Sequence, residues 1–275
     1  VDALVTGHTP QPYVCTIPDP EGNDRLVTSA ATNGTLFTEL NMEYDRRAQD
    51  IVRASVKGTN RVVHRDHEKA ADLSELLAYW NELAAPIGNR PIGYIAEDII
   101  GRSATTPESP LGDLIADAQL AAAKEEDERA ELALMNPGGI RTDLVYKASG
   151  DEGDGVVTYA EAFSVQPFAN TVNTMDLTGE QVLQVLREQV SGDNEESPKI
   201  LQVSEGFTYT LDLTKSGADR IVADSVRLNG EPLEMDRTYR VAVNSFLAGG
   251  GDGFPTLAEG GEPLVGGDDL AAPEN

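Results

Sequence analysis

The segment Ser245-Phe246-Leu247-Ala248-Gly249-Gly250-Gly251-Asp252-Gly253-Phe254 is the stretch of this sequence best suited to chemistry. Three consecutive glycines, and a fourth after Asp252, are entropically costly to order. A purely structural loop has no use for that cost, and two phenylalanines flank this one. A ring such as Phe246 and an acceptor carboxylate such as Asp252 on one loop suit a planar, hydrogen-bonding ligand such as a nucleobase. Stacking on a nucleobase contributes roughly 1–3 kcal/mol per base.

Three shorter segments carry further candidates. In Asn136-Pro137-Gly138-Gly139-Ile140-Arg141 the glycine pair permits close backbone approach, and Arg141 can fork onto a phosphate or a hydroxyl pair. The Lys and hydroxyl of a P-loop are absent, and alone the segment reads as a plain turn. Gln166-Pro167-Phe168-Ala169-Asn170 sets a ring after Pro and an amide two residues on; alone, Phe168 reads as a core ring. Gly7-His8-Thr9 follows a hydrophobic strand and presents His8 on a turn, where imidazole can ligate a metal. A single His is more often structural, and His64 and His67, without a carboxylate partner at ligand spacing, read as surface residues.

Composition narrows the ligand. The 275 residues hold 21 Lys plus Arg against 47 Asp plus Glu, a net charge of -26. That field repels polyanions, so nucleic acid and anionic membrane are poor partners, and an anionic small ligand needs a local Arg or backbone N–H groups. With 40% hydrophobic and 25% charged residues the chain is globular rather than disordered. No apolar run reaches the roughly 18 residues of a membrane-spanning helix. The lone Cys15 excludes an internal disulfide framework and a multi-cysteine metal site. Val1 to Val5 reads as a core strand, so the chain is expected to be a piece of a longer protein.

These residues need elements to hold them. Leu36, Thr38, Leu40, Met42 and Tyr44 alternate as in a strand, and Pro18 to Asn23 forms a turn between two more. From Asp66 to Ala85 the spacing of Leu73, Leu76, Leu77, Trp80 and Leu83 predicts an amphipathic helix stopped by Pro86, Gly88 and Pro91. Ser109-Pro110 is an N-cap and first helical position, Leu132 to Met135 a short buried strand, and Thr178 to Gln181 a capping box. Phe207, Tyr209 and Leu211, then Tyr239, Val241 and Val243, alternate along two strands. Helices and strands interleave but several strands follow one another directly, which predicts an α+β fold with a mixed sheet and flanking helices.

In this order the segments resemble the 5′-nucleotidase family, which includes UDP-sugar hydrolases and 2′,3′-cyclic phosphodiesterases. Glu108 to Ala118, Asn136 to Arg141, Gln166 to Asn170, Leu201-Gln202-Val203-Ser204 with Gly206, and Asn244 to Phe254 are similar to its C-terminal domain. The resemblance implies three parts: residues 1–60 as the end of an N-terminal metallophosphoesterase domain, 61–91 as the inter-domain helix, and 92–275 as the substrate-binding domain. It implies a hydrolase that removes phosphate from nucleotides, using two divalent metal ions of the zinc or manganese type. Nearly all the metal ligands, and the assisting His, would lie upstream of Val1, with His8 the one candidate ligand in this piece, which is expected to hold no metal and to be inactive by itself. It implies secretion to the cell wall or periplasm, and a nucleotide or nucleoside as the ligand.

The same resemblance assigns Phe168 and Phe246 to the two rings around the base, and Asn136, Asn170 and Asp252 to polar contacts with base and ribose. Arg141 would hold the substrate near the phosphate, and Gly206 would be a point of backbone approach. Relatives carry an Arg shortly before the Ser109 helix where this chain has Thr105 and Thr106, and Arg102 takes that place after a gap. Pro10 stands where relatives have a second ligand after His8, and Glu205-Gly206 stands for Gly-Gly. The alternative, favoured by Pro10, is a non-catalytic nucleotide-binding or cell-surface module with a degenerate metal site.

Overall fold

A computed structural model describes residues 1–9 and 11–260, and the backbone of 264–268. The chain divides into two compact units, Val1–Ala78 and Tyr79–Asn275.

In the first unit β1 (Ala3–Val5) pairs parallel with β3 (Asp24–Ser29), and β3 pairs antiparallel with β2 (Tyr13–Pro18). The β2–β3 turn is the expected one: Asp19 Oδ1 accepts from the Asn23 amide at 2.8 Å and Gly22 takes φ +86. The alternation from Leu36 divides between two ladders. β4 (Leu36–Asn41) pairs with β7 (Lys57–Val62), whereas Tyr44 falls in a short ladder of β5 (Tyr44–Asp45) and β6 (Asp50–Ile51). The break follows from new partners at Glu43, whose amide donates to Ser55 Oγ at 2.8 Å and whose carbonyl accepts from Val52 at 2.9 Å.

The amphipathic helix is α1 (Ala71–Gly88), and Pro86 lies inside it. The expected stop at Pro86 is displaced because proline forfeits one bond, to the exposed Glu82 carbonyl, while Asn89 still donates to Ala85 at 2.9 Å. Leu73, Leu76, Leu77, Trp80 and Leu83 are all more than half exposed.

The second unit is built on a five-stranded mixed sheet in the order β12 (Gln202–Val203), β9 (Ala130–Met135), β16 (Thr238–Asn244), β11 (Thr171–Thr178), β17 (Leu264–Asp268). β9 and β16 run parallel, and the other pairs are antiparallel. The period-two pattern explains the layers. Leu132, Leu134, Val241 and Val243 face α4 (Gly179–Glu188), through Val182, Leu183, Val185 and Leu186. Ala133 and Ala242 face the other way, where their small side chains admit α2 (Pro110–Glu126) through Leu120 and Ala123. A three-stranded antiparallel sheet of β13 (Phe207–Leu211), β14 (Ile221–Leu228) and β15 (Glu231–Pro232) adds Phe207, Ile221, Val226 and Leu228 to the α4 core. β8 (Pro91–Tyr94) and β10 (Val156–Thr158) form a separate pair, and α3 (Tyr159–Val165) follows on a Thr158/Glu161 capping box. The fold is thus the expected mixed sheet with flanking helices, and both predicted caps are present: Ser109 Oγ accepts from Gly112 at 3.2 Å and Thr178 Oγ1 from Gln181 at 3.2 Å. Among the described residues no helix is long and apolar enough to cross a membrane.

Candidate functional site

Sheet topology decides which loops meet. β9 and β16 are parallel, with Leu134 opposite Val243, so both strands end at one edge of the sheet. Asn136 to Arg141 follows β9 there, and α5 (Ser245–Ala248) with the glycine loop follows β16. β11 is antiparallel to β16, with Val172 opposite Asn244, so the segment entering it, Gln166 to Asn170, arrives at the same edge. Open sheets with parallel strands bind ligands outside such carboxyl ends.

Side chains stitch the three segments together. Asn244 caps α5, its Oδ1 accepting from Leu247 at 2.9 Å, and its Nδ2 donates to Asn136 Oδ1 at 2.9 Å. Asn136 is thereby oriented with Nδ2 toward Asp252, whose Oδ2 accepts at 2.8 Å. Asn136 is 3% exposed and both ends of its amide are engaged. Asp252 takes φ +56, which an Asp tolerates better than most residues. Ser245 Oγ donates to Asn170 Oδ1 at 3.2 Å and accepts from the Thr171 amide at 3.2 Å, tying the Phe168 segment to the Phe246 loop.

Both rings reach solvent, Phe168 at 49% exposure and Phe246 at 47%. Phe246 rests on the backbone of Gly251, where a Cβ would come within 2.6 Å of the ring carbons. Arg141 is exposed; its Nη1 donates to the Gly138 carbonyl at 3.1 Å and its guanidinium lies 5.6 Å from the Phe168 ring centroid. Gly138 also lies against Asp252, since a Cβ on it would sit 3.1 Å from Oδ2. Asp252, Gly138, Arg141 and Phe168 thus form one continuous row. Among the described residues Arg141 enters no ion pair, so its charge faces outward.

Arg102 is exposed in a loop fastened beside this row. Gly101 and Ser103 amides donate to Asp143 Oδ1 at 2.8 and 3.0 Å, two residues beyond Arg141. Burial pushes the Asp143 carboxyl up, but the bonds from Ser103, Gly101 and Arg102 outweigh it and hold it below the usual carboxylate range. Gly206 is placed elsewhere, in the turn before β13. At φ +88 its carbonyl accepts from the Asn229 amide at 2.7 Å, and a Cβ would meet Asn229 Oδ1 at 2.4 Å. Two of the motif segments are structural: Gln202 Oε1 accepts from the Ser109 amide at 2.7 Å, and Ser204 Oγ from Ala133 at 2.9 Å.

His8, in the first unit, is exposed on a turn at φ +72, and Pro10 lies outside the described residues. Among the described residues no three His, Cys, Asp or Glu side chains gather as a metal site. Sequence reasoning assigned no individual role to Asn244, Ser245 or Asn194. Asn244 has a local signal, an Asn N-cap directly after a strand; Asn194 has none, because its partner Asp252 is 58 residues away.

The chain is 31% identical over 265 residues to a cell wall protein of Listeria monocytogenes, covering 92% of this chain and 32% of that protein. It is 31% identical over 239 residues to a trifunctional nucleotide phosphoesterase of Bacillus subtilis, covering 85% and 16%. The crystal structure of a 5′-nucleotidase precursor from Thermus thermophilus superposes with a TM-score of 0.66 at 29% identity, covering 98% of this chain and 53% of that one. The chain spans a third or less of these two curated relatives and about half of the solved one. Residues 91–259, well over half of the chain, match the family described as 5′-nucleotidase, C-terminal domain, and the chain belongs to that family.

Proposed function

We propose that the sheet edge carrying Phe168, Phe246, Asp252 and Arg141 binds the nucleoside part of a nucleotide. The observation that supports it is the convergence of three distant segments at that edge, fastened by Asn136–Asp252 and Ser245–Asn170. Phe168 and Phe246 flank the base, and Asp252, with one oxygen held by Asn136, offers the other to ribose or base. Asn170, tied to Ser245 of the Phe246 loop, adds a polar contact. Arg141 supplies local positive charge on an acidic chain and faces the phosphate, with Arg102 on the adjoining loop as a second cation. Gly206 serves the same domain as a turn that admits close backbone approach.

The whole protein is, on this reading, a secreted or cell-wall phosphohydrolase of the 5′-nucleotidase type that cleaves phosphate esters of nucleotides. Two divalent metal ions held by a metallophosphoesterase part would supply a polarised water for attack on phosphorus, and the residues described here would select the substrate. The relatives named for nucleotidase and phosphoesterase activity and for the cell wall support this.

Titration of the 275-residue chain with adenosine, beside Phe246→Ala and Asp252→Ala, tests the assignment. Saturable binding weakened in both variants is expected, and equal affinity in all three proteins would remove the edge from recognition. The same chain, supplied with zinc or manganese, is expected to leave AMP intact; measurable turnover would move the reacting groups into it.

A further inference from the structure

The glycine loop is clamped from beneath by residues that are not at the sheet edge. Asn194 is 3% exposed and belongs to a single 3-10 turn, Gly192–Asn194, beyond the end of α4. Its Nδ2 donates twice, to the Glu188 carbonyl at 3.0 Å and to the Asp252 carbonyl at 2.8 Å. Gly253, at φ +80, brings the loop so close that a Cβ would lie 3.0 Å from that same nitrogen. A second clasp lies at the loop's far end, where Glu188 Oε1 and Thr256 Oγ1 are 2.5 Å apart, both residues buried. α4 itself is anchored in the core through Val182, Leu183, Val185 and Leu186.

Glycine-rich backbone loses about 1–2 kcal/mol per residue when it is ordered. Ordering made at folding, by contacts to a core helix, is not charged against the ligand. We infer that Asn194 is a positioning residue for ligand binding: it touches no ligand, and it fixes the Asp252 carboxylate and the Phe246 seat by holding the Asp252 carbonyl to the end of α4. The inference rests on the nucleoside-binding reading of the edge.

Without the latch the loop samples other conformations, and apparent affinity falls by the fraction of molecules still competent. The isosteric variant Asn194→Asp turns the double donor into an oxygen facing two carbonyls, and Asn194→Ala removes it. Adenosine affinity is measured for wild type, both variants and Phe246→Ala, together with hydrogen exchange of the amides of 249–253 in the ligand-free protein and the melting temperature. Both Asn194 variants are expected to exchange faster in the loop and to bind about tenfold more weakly, while the amides of α4 keep their protection. If Phe246→Ala weakens binding and neither Asn194 variant does, the latch is overturned and the binding edge stands. Loop exchange unchanged in both variants overturns it as well. A wild type that does not bind adenosine overturns the binding reading and this inference together.

Discussion

Replacing Gly251 by Ala tests the seat of Phe246 with one methyl group. The added carbon would lie 2.6, 2.6 and 2.7 Å from Cε1, Cζ and Cδ1 of the ring. Carbon atoms pack best at about 3.5–4.0 Å, so the ring must retreat by about 1 Å or turn about its side-chain bonds. Gly251 is not among the positive-φ residues, so alanine meets no backbone strain there. It restricts the unfolded chain, a gain of about 0.4–1 kcal/mol where the native backbone is compatible. Phe246 is half exposed and has room to move. The expected outcome is therefore a split: melting temperature unchanged or slightly raised, and adenosine affinity reduced by a large part of one stacking contact. At roughly 1–3 kcal/mol that reduction is about 5- to 150-fold. Calorimetric titration with adenosine and thermal melting followed by circular dichroism read the two quantities separately. Affinity within twofold of wild type would show that the position of this ring does not matter to the ligand, and the reasoning would fail.

Arg141→Ala is expected to weaken AMP more than adenosine, by about tenfold in their ratio, and raising the salt should shrink that difference, because the exposed guanidinium acts on phosphate by charge. Asn136→Ala removes the partner of Asp252 Oδ2 and leaves the buried Nδ2 of Asn244 only the weak Met135 sulfur acceptor at 3.5 Å, and urea unfolding should read a loss of about 1–3 kcal/mol. Asp113 has a buried Oδ1 without a partner, and burial, with the carboxylates of Glu108 and Asp117 nearby, pushes its carboxyl up to about 6. The folded protein holds that proton more tightly than the unfolded one, so between the ordinary carboxylate value and about 6 stability falls as pH rises, and above that window the loss is complete. Asp113→Asn should consequently raise the melting temperature at pH 7 and change it little at pH 4; equal shifts at both would contradict the assignment.

Much of this architecture is local enough to be legible in the sequence. The cap at Ser109 and the capping box at Thr178 need only residues within one turn, and both form as read. Alternation along Leu132–Met135 and Tyr239–Val243 marks strands whose two faces meet different helices. The glycine loop with Phe246 and Asp252 is conspicuous because ordering three glycines is costly wherever it occurs. Pro86 misled because a proline near a helix end removes only one bond, and whether that bond matters depends on exposure.

What a linear reading does not contain is which loops share an edge. Asn136 and Asp252 are 116 residues apart, and they meet only because β9 and β16 pair in parallel, with Leu134 opposite Val243. The same pairing buries Asn136 and sets its amide against Asp252. Gly206 shows the converse: its positive φ is a local requirement any turn could impose, and the fold uses it against Asn229. Asn194 sits in an acidic loop that no local pattern marks, and its role comes from a hydrogen bond across 58 residues. Short-range propensity and periodicity determine which elements form. Strand pairing, a long-range choice made by the shared core, determines which of their ends meet and therefore which side chains make a site.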